Sequence, residues 1–187
     1  MKQNMEEMAS HLLPLKIDSF IIDIGCYEGE FIDELLKTGR YRFVGFEPNP
    51  EKYQTLKNKY SDSKNIFIEN LALGNFKGMK KFYIKGLGSS FFQSWTKSSN
   101  SLEVSVEKLS DYLEGRIPDV VKINCEGSEY EIIYDLNKIL SQIEKIFVQF
   151  HKIKPLYKDN YGKIQNILGV SHDKIYSFKT WELWKKK

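Results

Sequence analysis

Short apolar runs alternate along this chain with segments whose apolar positions recur every three or four residues. Runs at 19–24, 42–46, 65–73, 119–124 and 145–150 predict strands, and the first is apolar on both faces, as a central parallel strand should be. Helices are predicted at 30–37, 50–60, 107–113, 128–139 and 161–168. Phe31 and Leu35 share one face of the first, which Gly39 would stop. Asn49 would cap the second, with Pro50 in its first turn. Strands alternating with helices give βαβ units around a parallel sheet. Two last runs, 174–178 and 180–184, lie too close together for a parallel crossover and predict an antiparallel hairpin. The stretch 74–106 breaks the rhythm: it is rich in Gly, Ser and Lys, with one alternating piece at 80–85 for a short antiparallel strand. Within it, GLGSSFFQSWTKSSNS reads as a flexible loop carrying aromatics. The predicted fold is α/β, a single Rossmann-like, doubly wound domain over 1–187, its mostly parallel sheet ending in an antiparallel hairpin strand and carrying helices on both faces. A lead-in at 1–18, an insertion or substrate loop at 74–106 and the hairpin at 174–187 subdivide it.

A chain of 187 residues buries about 70% of its unfolded surface as one domain. With 41% hydrophobic and 28% charged residues, it has the composition of a soluble globular protein. The formal charge is +3, and lysines cluster only at 80–81 and 185–187, so the concentrated basic stripe of a nucleic-acid binder is missing. No apolar run approaches the roughly 20 residues of a membrane span. The opening MKQNMEEMASHLLPL carries acids and a proline where a signal peptide needs an uninterrupted apolar region. Two cysteines, Cys26 and Cys125, are too few for a disulfide framework. The expectation is a cytoplasmic protein with no nucleic-acid partner and no membrane span. Oligomeric state is not legible, Phe91-Phe92 being the sole hint of an interface.

Candidate chemistry gathers at the carboxyl ends of the predicted strands, where doubly wound sheets bind ligands. FIIDIGCYEGEF, residues 20–31, ends the first strand in a turn whose Gly25 and Gly29 admit close backbone approach. Its spacing is D-x-G-x-x-x-G, not the G-x-G-x-x-G of a pyrophosphate site, and its acids Asp23 and Glu28 suit an ammonium or sulfonium better than a phosphate. The second strand ends in GFEPNP, placing Glu47 about 20 residues past the first glycine, where an acid accepts both hydroxyls of a ribose. The third ends in ENLALGN, where Asn70, Leu71 and Ala72 could flank a base. An amino acid moiety, a ribose and a base are the three parts of S-adenosylmethionine.

Together DIGCYEGEF, GFEPNP, ENLALGN and VVKINCEGSEYEII resemble the FkbM-like branch of class I S-adenosylmethionine-dependent methyltransferases, over roughly 19–151. The resemblance implies a seven-stranded sheet with an antiparallel hairpin. It implies O-methylation of a hydroxyl on a sugar, glycan or other small metabolite, with S-adenosyl-L-methionine converted to S-adenosyl-L-homocysteine. By it, Asp23, Gly25, Cys26 and Gly29 would face the methionine part, with Glu28 in the same loop. Glu47 and Pro48 would meet the ribose, and Asn70, Leu71 and Ala72 the adenine. The family usually has an aspartate in the motif written here KINCEG, where this chain has Asn124, which could still bond cofactor or substrate. Two other readings share the sheet: a non-catalytic nucleoside- or partner-binding module, and a methyltransferase acting on nitrogen or nucleic acid.

A hydroxyl acceptor needs a base. His151 closes the fifth strand in VQFH, and its intrinsic pKa suits that role. Glu126 is the alternative, nearer the expected pocket than Glu129, which could serve merely to favour a helix N-terminus. Ser89, Ser90, Phe91 and Trp95 are candidates for gripping the acceptor, and no metal ligand set is expected. Cys26 and Cys125, at the ends of neighbouring strands, are expected close together.

Overall fold

The computed structural model describes residues 5–154 and 156–187. In chain order its elements are α1 (Met5–Ser10), β1 (Phe20–Ile24), α2 (Glu30–Leu36), β2 (Arg42–Phe46), α3 (Pro50–Lys59), β3 (Ile66–Glu69), β4 (Ala72–Leu73) and β5 (Gly78–Tyr83). There follow α4 (Gln93–Thr96), β6 (Ser101–Glu107), α5 (Leu109–Leu113), β7 (Val120–Ile123), α6 (Glu129–Leu136), β8 (Lys145–Gln149), α7 (Leu156–Ser171), β9 (His172–Phe178) and β10 (Trp181–Lys186). Among the described residues, seven strands form one sheet in the order β3-β2-β1-β7-β8-β10-β9. The first five run parallel, and β10 lies antiparallel between β8 and β9. The doubly wound α/β sheet with its antiparallel C-terminal strand is therefore the one that the hydrophobic pattern predicts.

Alternation along the strands splits the core into two layers. Ile21 packs with Phe31, Leu35 and Leu56 from α2 and α3, and its neighbour Ile22 packs with Leu113, Ile132 and Leu168 from α5, α6 and α7. Each such fully buried aliphatic chain contributes about 1.5–3 kcal/mol of transfer free energy. The order of the strands reverses between β1 and β7, so a crevice opens beyond their carboxyl ends. Asn49 caps α3 as predicted, its side chain accepting the Glu51 N–H at 3.0 Å.

The insertion departs from expectation. Residues 101–107, assigned from sequence to a loop and the start of a helix, form β6, and α5 begins only at Leu109. β5 and β6 pair antiparallel with Phe82 opposite Leu102, and β4 joins β6 in parallel to make a separate three-stranded sheet. Its small core is Ala72, Phe82, Val104 and Val106. The alternation in SLEVSVE carried that signal, since Leu102, Val104 and Val106 fall on one face. The lead-in holds α1, whose Ala9 joins Leu12 in the core layer of α2 and α3.

Candidate active site

β1 ends in a turn that only glycine can make at its first position. Gly25 has φ 77°, and a Cβ there would stand 1.9 Å from the Asn124 carbonyl oxygen on the neighbouring strand end. Asp23 stands behind this turn: it is fully buried, and Lys122, its register partner on β7, donates to its Oδ1 at 2.7 Å and to the Gly25 carbonyl at 2.9 Å. Its charge thus meets a lysine within the chain. Cys26 packs into the α2 layer, Gly29 receives the Tyr60 hydroxyl on its carbonyl, and Glu28 bridges to Lys52 at 2.6 Å. Four of the residues expected at the methionine part are therefore the support of the turn, and Gly25 is the one that lines the cleft.

The cleft is open to solvent, its empty space amounting to about 700 Å³ with the mouth included. Glu47, Pro48 and Asn49 form one side, and Leu71, Ala72, Phe82 and Phe91 an apolar wall. Glu47 is buried at the end of β2, with Tyr27 N–H donating to Oε2 and Asn49 N–H to Oε1, each at 2.9 Å. Burial pushes its pKa up to about 7 against the pull of those two bonds. Asn70 lies outside the lining and ties the strand ends together, donating to the carbonyls of Glu47 and Pro48. Asn124 lines the floor, where its Oδ1 is buried without a hydrogen-bond partner in the chain. Sequence reading missed Lys52 and Tyr27, which also line the cleft, the ammonium lying 4.3 Å from the ring centroid.

Beyond β7, the chain turns at Glu126 with φ 53° and enters α6. The Glu126 carboxylate lines the cleft, and its Oε1 lies 3.0 Å from His151 Nε2. On the other side of the ring, Nδ1 lies 3.1 Å from Glu129 Oε1, which also accepts the His151 N–H at 2.5 Å. Glu129 Oε2 accepts the Gly127 N–H at 2.7 Å. An imidazole with a carboxylate at each nitrogen is satisfied only as imidazolium. Burial pulls the pKa down, but the bonds and charges of Glu126 and Glu129 outweigh it and lift it to about 9. Expected as the base, His151 is a ring held between two carboxylates. At neutral pH it already carries its proton, it is buried, and it reaches the cleft only through Glu126. Glu126 is the carboxylate that lines the cleft at this end.

The segment 86–98 lies over this turn. Ser90 Oγ donates to the Glu126 carbonyl at 2.5 Å, and Trp95 Nε1 donates to Glu126 Oε2 at 2.7 Å. Phe92 packs so closely on Gly127 that a Cβ there would lie 2.7 Å from its ring. Ser89 and Phe91 line the cleft, Ser89 closing a turn on Gly86 and Phe91 standing edge-on to Phe82. Cys26 and Cys125 pack into opposite layers of the core, and burial raises both thiols well above their ordinary pKa. Their expected proximity is one of strand ends only.

The fold is that of class I methyltransferases. The chain aligns over its full length with 90% of precorrin-6y C5,15-methyltransferase from Geobacter metallireducens GS-15, at 13% identity and a TM-score of 0.56. It aligns over 97% of its length with 76% of magnesium protoporphyrin IX methyltransferase from Synechocystis PCC 6803, a structure with bound SAM, at 12% identity and 0.53. A putative rRNA methylase from Clostridium thermocellum is covered to 99%, at 12% identity and 0.55. No curated protein sequence matches. The Methyltransferase FkbM domain profile matches residues 23–179, and the chain belongs to that family.

Proposed function

We propose that this protein transfers the methyl group of S-adenosylmethionine to a hydroxyl of a sugar, glycan or other small metabolite. The observation that carries the reading is one cleft with two carboxylates of different kinds. Glu47, its two oxygens oriented by backbone N–H groups, stands at one end, and Glu126, braced by an imidazolium, at the other.

The residues fit the cofactor. Glu47 offers each oxygen to one ribose hydroxyl, and Leu71, Ala72, Phe82 and Phe91 supply flat apolar contact for a base. The unpartnered Oδ1 of Asn124, which lines the cleft, is an acceptor for the ammonium of the methionine part, whereas Asp23, held by Lys122 at Oδ1, keeps its own unpartnered Oδ2 buried behind the turn. When bound, the cofactor supplies a methyl on a sulfonium, an electrophile that needs an acceptor oxygen placed in line with it. Glu126 would orient that hydroxyl and take its proton at Oε2. His151 fixes Oε1, and Glu129 holds the ring in place.

The test is calorimetric titration with S-adenosylmethionine beside Glu47→Ala, then release of S-adenosylhomocysteine from a panel of sugar and alcohol acceptors. Micromolar binding lost by at least tenfold in the variant supports the reading. Absence of binding by the wild type would sink it.

A further inference from the structure

The segment 86–98 is fastened to the site through the atom that the proposed chemistry uses. Its one-turn helix α4 has four residues, too few to hold itself, since an isolated turn fixes six dihedrals for one bond. Yet the amides of Trp95, Thr96 and Lys97 are all bonded, to the carbonyls of Phe92 and Gln93. What holds that turn is its seat. Phe92 rests on Gly127, Ser90 reaches the Glu126 carbonyl, and Trp95 donates to the Glu126 carboxylate. The first two contacts engage backbone whose charge does not change. The third engages a side chain whose two oxygens are both taken, Oε1 by His151 and Oε2 by Trp95.

We infer that Trp95 is a latch on this segment and that proton transfer to Glu126 releases it. The inference rests on Glu126 as the base. The indole N–H bonds strongly to a carboxylate and roughly half as strongly to a neutral carboxyl. When the acceptor's hydroxyl proton passes to Oε2, the hydroxyl O–H bond breaks and the carboxylate becomes a carboxyl. The bond to Trp95 then weakens at the moment the methylated product must leave. Closure before the reaction and opening after it are thereby tied to one proton. Trp95 suits the part, being partly exposed with its ring edge-on to His151 and its centroid 6.0 Å from that ring, so it can turn outward without vacating the core.

Hydrogen–deuterium exchange of the peptide covering 86–98 tests this on the protein without cofactor or acceptor. Failure of cofactor binding therefore leaves the measurement standing. Trp95→Phe removes the donor and keeps the ring, and Glu126→Gln imitates the neutral carboxyl. Trp95→Phe should speed exchange of the 95–97 amides by about tenfold, the effect of a bond to a charged group, and Glu126→Gln, which keeps a neutral acceptor, by about threefold. The double variant should be no faster than Trp95→Phe, and peptides from β1 and β7 should stay within about twofold of wild type. Unchanged exchange in Trp95→Phe, or independent effects that multiply in the double variant, overturns the latch. Trp95→Phe lies on the surface segment and decides the question alone if Glu126→Gln does not fold.

Discussion

Binding of S-adenosylhomocysteine should weaken steeply below pH 7, because Glu47 sits where it does. In the unliganded protein its pKa is about 7, raised chiefly by burial. It is ionised at pH 8 and almost wholly protonated at pH 5. Two ribose hydroxyls donating to it favour the charged form, each bond to a charged group being worth about 1.5–3 kcal/mol. At about 1.36 kcal/mol per pKa unit, the bound carboxyl falls by two units or more. Binding then releases a proton, and Kd rises about tenfold per unit below pH 7, about 100-fold by pH 5. His151, lifted to about 9, stays protonated throughout this window and adds no slope. Calorimetry from pH 8 to 5, repeated at pH 6 in two buffers of different ionisation enthalpy, gives both the slope and the proton count. The sign for folding runs the other way. With the folded pKa above the ordinary 4.5, Glu47 contributes stability that is fully present below pH 4.5 and is lost as pH rises through 7. A Kd constant within threefold from pH 8 to 5, or an equal slope in Glu47→Gln, would refute the assignment of Glu47 to the ribose.

Three further outcomes follow from the same geometry. The raised His151 pKa contributes stability that is complete below pH 6.5 and lost as pH climbs through about 9, on the order of 3 kcal/mol; the thermal midpoint should therefore fall between pH 7 and 10 more steeply in the wild type than in His151→Asn. Lys122→Met leaves Asp23 charged and buried without its partner, which should cost about 3–5 kcal/mol in urea unfolding; adding Asp23→Asn should recover more than half, and no recovery would mean the pair is not coupled. Gly25→Ala drives a Cβ into the Asn124 carbonyl in a left-handed backbone, so denaturation should show a loss of about 2 kcal/mol or more, together with loss of cofactor binding.

The parts of this molecule that sequence revealed are those governed by local pattern. The central strands are buried on both faces, so they read as continuous apolar runs, and Glu47 was found because a strand end and a following turn fix its place. What escaped depends on pairing across the sheet. Lys122 interrupts the apolar VVKIN, and a cation inside a doubly buried strand must have a partner; only the parallel register of β1 and β7 identifies it as Asp23. The protonation of His151 was equally hidden. Its intrinsic pKa suggested a base, but Glu126 and Glu129 reach it only because β7 and β8 are neighbours and α6 starts where β7 ends. The β6 strand was lost for a different reason. Its period-two pattern lies in a Ser- and Lys-rich stretch, where composition spoke for a loop and alternation for a strand.

The two turns of the site share a device that ties backbone strain to chemistry. Tyr27 after β1 and Glu126 after β7 are not glycines, yet each has φ 53°. A left-handed residue with a Cβ costs about 1–2 kcal/mol, and such strain persists only where surrounding structure enforces it. At Tyr27 the conformation aims the backbone N–H at Glu47 Oε2, so the strained residue orients the proposed ribose acid. At Glu126 it turns the side chain into the cleft while its carbonyl receives Ser90 and its carboxylate receives His151 and Trp95. Each bend has a glycine close after it, Gly29 with φ 80° and Gly127 with φ 122°, through which the chain enters the next helix. Replacing Tyr27 or Glu126 by glycine would relieve the strain but remove different things: at position 27 the backbone N–H survives, at position 126 the carboxylate does not. On the proposed reading, the first turn serves binding through its main chain, and the second serves chemistry through its side chain.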